Sequence, residues 1–117
     1  MAFSIASPVG TYQGLASLRT SNGQAVAVPE DDAVLAAQKE IGSTTGLFLE
    51  ASAAITLPAL DRFASSGNVR PDDTVVLIAT STGLKDPGST ATLLRDVPLI
   101  EPSPQALDRA VADMAGS

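Results

Sequence analysis

The sequence predicts an α/β fold in which helices pack on a small, mainly parallel sheet. Three observations predict it. Helical apolar spacing alternates along the chain with short β-rich runs, QAVAV at 24–28 and TVVLIA at 74–79. Apolar residues make up 44% of the 117, yet only 3% are aromatic, so Ala, Val, Leu and Ile must build a close-packed core of helices on a sheet. The credible strands number only two or three, where average sheets have about five or six. Residues 1–117 therefore read as one partial domain, a piece of a larger sheet whose edges stay open.

Taken in order, the first helix is expected over 9–20. Tyr12, Leu15, Ala16 and Arg19 recur at helical spacing, and Ser21-Asn22-Gly23 supplies the stop. The run 24–28 reads as a strand ended by Pro29. Glu30-Asp31-Asp32 then suit the first turn of a helix, where carboxylates complement the macrodipole. They also look like a metal or acid–base cluster, but adjacent carboxylates on a helix diverge, which favours the helix start. Val34, Ala37 and Ile41 form its buried face, with Gly42 as the stop.

GLFLE at 46–50 reads as a short extended segment, and a further helix begins near Ser52 with Ala53, Leu57, Leu60, Phe63 and Ala64 on one face. Pro58 falls inside that pattern. It removes the hydrogen bond to the Ala54 carbonyl and clashes with it, so a kink or an irregular first turn is expected. Ser65-Ser66-Gly67-Asn68 ends this helix. After the strand at 74–79, a short helix is expected over 89–95 and an extended stretch over 97–102. Ser103-Pro104 then makes a good helix start, serine as cap and proline at the first position. Leu107, Ala110, Val111 and Met114 line the last helix.

Charge and composition exclude several functions. Seven basic residues, scattered singly, against thirteen acidic ones give a net charge of −6, with no cationic stripe for a nucleic-acid backbone. No apolar run approaches the ~20 residues of a membrane span. The N-terminus lacks the basic flank and apolar core of a signal peptide, so a cytoplasmic protein is expected. The chain has no cysteine and no histidine, which removes disulfides, thiolate nucleophiles, imidazole bases and the usual zinc ligands. No metal site is expected. Acid–base chemistry would fall to carboxylates, Lys39, Lys85, Tyr12 or a cofactor.

The stretch 74–87, TVVLIATSTGLKDP, carries the strongest functional signal. A buried strand there would open into the polar turn Thr80-Ser81-Thr82-Gly83. Ligands bind where loops leave the carboxyl ends of parallel strands, so three hydroxyls and a glycine could form a small-molecule site. On local chemistry alone the hydroxyls read equally as caps and turn formers, which is their commoner role.

Three segments, PVGTYQG at 8–14, GLFLEASAA at 46–54 and TSTGLKDP at 80–87, resemble the C-terminal part of threonine synthase in residues and in mutual spacing. That family uses pyridoxal 5'-phosphate and has the tryptophan-synthase-β fold. The resemblance thus implies a partial three-layer sandwich, the C-terminal portion of that fold. It also implies the family's reaction, O-phosphohomoserine and water to threonine and phosphate. It places Thr80 opposite the pyridine nitrogen of the cofactor, with Glu50, Ser52 and Ser81 beside the pocket. Ser81 and Thr82 stand where the family carries glycine and histidine. The family's Schiff-base lysine, its asparagine-containing loop and its phosphate-holding glycine loop lie upstream of the matched region. Lys39 falls on a charged helix face, and Lys85 is not at the Schiff-base position, so no catalytic residue is assigned. Ser66-Gly67-Asn68 looks like the cofactor-side loop but reads as a helix stop. The resemblance therefore implies a fragment inactive alone, whose partner is a missing N-terminal portion or complementary chain, with self-association as a further expectation. The alternative is a non-catalytic module of the same descent that binds a small molecule or a partner.

Overall fold

The computed structural model describes residues 2–92, 94 and 96–115. Its architecture is helical. A 3-10 turn, Phe3–Ile5, is followed by α1 (Tyr12–Thr20), α2 (Asp31–Thr45), α3 (Ala51–Ala54) and α4 (Thr56–Ser65). A second 3-10 turn, Gly83–Lys85, leads into α5 (Pro87–Ala91), and α6 (Pro104–Ala115) closes the described chain.

The expected α/β sandwich does not form. Among the described residues there is no strand and no sheet. The only pairing of extended stretches is one antiparallel bridge, Leu49 with Thr82. The runs 24–28 and 74–79 have strand composition but form no ladder with any described segment. β-branched residues favour strands through cross-strand packing and burial more than through backbone preference. Without a partner, Val76 is 81% and Ile78 70% exposed, and the turn at Thr80 hangs from an open segment rather than from a buried strand.

The helix boundaries follow their caps. α1 starts later than the spacing alone predicts, because the Thr11 hydroxyl accepts from the Gly14 N–H at 3.1 Å. Asn22 takes the left-handed conformation after it (φ 51°). α2 runs past Gly42 to Thr45, and Gly46 (φ 75°) supplies the left-handed stop. The hydroxyls of Ser43, Thr44 and Thr45 bond back to carbonyls of Glu40 and Ile41 through this last turn.

The conflict at Pro58 is resolved by a break. α3 ends at Ala54, Ile55 forms a turn, and α4 restarts at Thr56, which puts Pro58 in a first turn where its missing N–H is tolerated. α5 begins at Pro87, two residues before the expected helix over 89–95. The Asp86 side chain caps it by accepting from the Ser89 N–H and hydroxyl. Leu93 and Arg95, in the expected helix, lie outside the described residues. Ser103 caps α6 as expected, accepting from the Ala106 N–H at 3.2 Å.

The core is small and local. α2 packs on α3, α4 and α5, and the first 3-10 turn packs on α3. The buried apolar residues are Val34, Leu35, Ala37, Ala51, Ala53 and Ala54. Three polar residues, Gln38, Glu50 and Ser52, are buried with them. α1, α4, α5 and α6 contain no buried residue. The radius of gyration is 18.8 Å, against about 13 Å for a compact chain of this length. The molecule is thus a packed centre with extended arms.

Candidate functional site

Glu50 is the chemical centre of the packed region. The chain leaves α2 through Gly46, runs along 47–49 and reaches Glu50 at the cap of α3. Two main-chain hydrogen bonds frame the Leu49–Thr82 bridge. The Gly83 N–H donates to the Phe48 carbonyl at 2.9 Å, and the Glu50 N–H donates to the Ser81 carbonyl at 3.2 Å. Gly83 permits this crossing, since a Cβ there would overlap the Phe48 ring. The crossing brings the 80–87 turn against Glu50.

The carboxylate of Glu50 is 6% exposed as a residue and well supplied with donors. The Ser52 hydroxyl donates to its Oε1. The Lys85 ammonium lies 3.6 Å from its Oε2, on a side chain that is 60% exposed. The Ser52 hydroxyl holds its pKa below the ordinary value of 4.5. Burial works in the opposite sense, while hydrogen bonds from Ser4 and Ser81 and the charge of Lys85 add to the lowering. A buried carboxylate surrounded by hydroxyls and one cation stays ionised. It can accept from an N–H or O–H of a ligand or orient a cationic group.

The neighbouring hollow has a volume of about 250 Å³ and is walled by Phe3, Ser4, Glu50, Ser52, Lys85 and Asp86. Thr80 does not line it. Thr80 is exposed and faces a separate open cleft of about 560 Å³, shared with Gly46, Phe48, Ala79 and Leu84. Ser81 borders that cleft and meets Glu50 through the main chain, its carbonyl accepting the Glu50 N–H. Of the four residues singled out in the sequence, Glu50, Ser52 and Ser81 come together, and Thr80 stands on the far side of the crossing.

The other sequence candidates have structural roles. Glu30 precedes α2 and pairs with Arg62 of α4 at 2.5 Å. Its pKa is lowered, first by the hydrogen bond from Arg62. Among the described residues no group of three acidic side chains could hold a metal ion. Ser66-Gly67-Asn68 is a helix stop, with Gly67 at φ 75° and Asn68 bonded to Ser66 and Gln24. Lys39 is exposed on α2. Sequence reasoning missed Ser4 and Gln38. Ser4 gave no signal, because its role depends on a turn folding back over α3. Gln38 stands four residues after Val34, on the face read as apolar, and a lone amide there was a visible anomaly.

No protein-family model matches the chain. Curated relatives do. It is 30% identical over 110 residues to threonine synthase of Methanosarcina acetivorans, a match covering 94% of this chain and 27% of the relative. The chain is similar to threonine synthases over part of their length. The threonine synthase of Methanocaldococcus jannaschii is 29% identical over 113 residues, 97% of this chain and 28% of that protein. That of Mycobacterium tuberculosis is 32% identical over 103 residues, 88% of this chain and 28% of that protein. The chain thus spans little more than a quarter of the length of the threonine synthases it matches, as the C-terminal part indicated by its motifs would. Among the described residues no helix is long and apolar enough to cross a membrane.

Pyridoxal phosphate, the cofactor implied by the resemblance, needs a lysine for its aldehyde, a cradle for its phosphate and a partner for its ring nitrogen. The residues present do not fit the whole group. Thr80 offers an exposed hydroxyl on one side of the crossing, while Glu50 and Ser52 face the hollow on the other. Among the described residues, that hollow sets the acidic Glu50 and Asp86 against one ammonium, that of Lys85, an unfavourable setting for a phosphate dianion. The Lys85 amine is itself engaged by Glu50.

Proposed function

We propose that this chain is the C-terminal portion of a threonine-synthase-like, pyridoxal-phosphate-dependent lyase, inactive alone, which contributes one wall of a site completed by a complementary polypeptide. One observation carries the reading: relatives named threonine synthase match 88–97% of this chain with 27–28% of their own length. The missing lysine and phosphate loop belong to the complementary part. Thr80 would meet the ring nitrogen with Ser81 beside it on the same cleft, while Glu50 and Ser52 would brace that wall from the hollow across the crossing. The incomplete fit of the residues present supports inactivity of the chain by itself. The open apolar stretch at 75–78 and the exposed Val97 and Leu99 support a need for a partner, or self-association in its absence.

The test is complementation. The Methanosarcina acetivorans enzyme, cut so that it lacks the matched region, is mixed with this chain, pyridoxal phosphate and O-phosphohomoserine, and phosphate release is measured. Release is expected only with both polypeptides present. Release by this chain alone, or a borohydride-reducible cofactor adduct lost in Lys85→Ala, overturns inactivity alone. No release from the mixture, with both polypeptides folded, favours the non-catalytic module. Light scattering on the isolated chain is expected to show oligomers. A sharply melting monomer counts against the need for a partner.

A further inference from the structure

Gln38 is an amide on an otherwise apolar face. It is 2% exposed and lies beside Val34, Leu35 and Ala37 on α2. Its Nε2 donates to the Leu49 carbonyl at 2.5 Å. Its Oε1 accepts from the Thr90 hydroxyl at 2.9 Å. A main-chain carbonyl can only accept, so the direction in which the amide points follows from chemistry.

The two partners belong to the two arms that meet at Glu50. Leu49 directly precedes Glu50 and forms the bridge to Thr82. Thr90 lies in α5, whose cap Asp86 directly follows Lys85. Burying an amide is costly unless both of its ends are paired, and packing alone would be served by leucine. Gln38 joins α2, the Glu50 arm and the Lys85 arm by one side chain.

We propose that Gln38 is a positioning residue, which holds the Glu50 carboxylate against Ser52 and Lys85 by tying the Leu49 carbonyl to α5. For its functional consequence the inference rests on the reading of Glu50 as a group that braces the cofactor-facing wall. Its test reads Glu50 directly and involves neither cofactor nor partner, so each can fail without the other.

The experiment is a carbon-13 NMR titration of the glutamate carboxyls of the full chain, with Glu50 assigned through Glu50→Gln. Among the described residues, the charged groups beside Glu50 are Lys85 at 3.6 Å and Asp86, which lines the same hollow. In the wild-type chain Glu50 titrates below 4.5. In Gln38→Leu its midpoint is expected to rise towards 4.5, while that of Glu30, held low by Arg62, stays in place as an internal reference. Val34→Ala, a cavity one turn away on the same face, is expected to lower the melting temperature and leave the Glu50 midpoint unmoved. Thr90→Val, at a half-buried position, removes only the outer bond and is expected to move Glu50 in the same direction by less. If Gln38→Leu does not fold, Thr90→Val decides. An unmoved Glu50 midpoint in the folded variants overturns the proposal, as does an equal rise in Val34→Ala.

Discussion

The two longest helices have the same design and opposite fates. α2 buries Val34, Leu35 and Ala37 against α3, α4 and α5. α6 carries a more sharply divided apolar face, yet Leu107, Val111 and Met114 remain 53%, 57% and 44% exposed. The stretch before α6 is equally open, with Leu99 fully exposed and Val97 85% exposed. Each helix has a local end signal, Gly46 after α2 and the Ser103 cap before α6, so the difference does not lie there. An amphipathic period marks a face suited to burial, but burial requires a surface to pack against. For α2 the short loops to α3 and α4 supply that surface.

The sharpest way to break this comparison is truncation of one leucine in each region. Leu35→Ala is expected to destabilise the packed region by about 2–3 kcal/mol, from lost transfer energy and a cavity. Leu107→Ala should change stability by less than about 0.5 kcal/mol, as exposed substitutions do. Urea denaturation of both variants measures the contrast, and equal losses would mean that α6 is packed in solution. Gly83→Ala comes next. Its new methyl meets the Phe48 ring, and overpacking of this kind costs roughly 1–3 kcal/mol. The same denaturation assay reads that loss, and unchanged stability would show that the Phe48–Gly83 crossing is loose.

Loss of the α6 cap separates the regions further. Ser103→Ala should weaken α6 by about 1 kcal/mol and reduce helicity in circular dichroism. The unfolding midpoint of the α2–α4 region should not move, and a shared shift would show that the two regions unfold together. The smallest effect concerns pH. Glu50 and Glu30 both have lowered pKa values in the folded chain. Their stabilisation is therefore fully present above the ordinary value of 4.5 and is lost as pH falls through their folded values. Melting temperature should decline in that acid range, and Arg62→Ala should remove the Glu30 part while leaving the Glu50 part. A flat profile below 4.5 contradicts both assignments.

Much of the candidate site was legible in the residues. The GLFLEASAA and TSTGLKDP segments carried the family resemblance, and the structure brings them together at the Leu49–Thr82 bridge. Glu50, Ser52 and Ser81 lie at that crossing. The separation of Thr80 was not legible. It depends on how the chain approaches the crossing with 48–50, which is fixed by contacts between segments far apart in the sequence. Nor was Ser4 legible, because a hydroxyl in a loose N-terminal stretch says nothing of the helix on which it will settle.

By itself the sequence determined the local elements. The Ser103 cap and the Pro58 disruption were legible in it, because caps and ring constraints act over a few residues, whereas the ends at Thr11, Gly46 and Pro87 differ from those expected at residues 9, 42 and 89. It also carried the similarity to threonine synthases. Tertiary structure alone decided whether the β-rich runs at 24–28 and 74–79 became strands. A ladder needs a second chain segment about 4.8 Å away, and among the described residues only Leu49 and Thr82 find one. Tertiary structure also decided that a single amide, Gln38, would join the two arms of the Glu50 cluster, because its partners lie 11 and 52 residues along the chain.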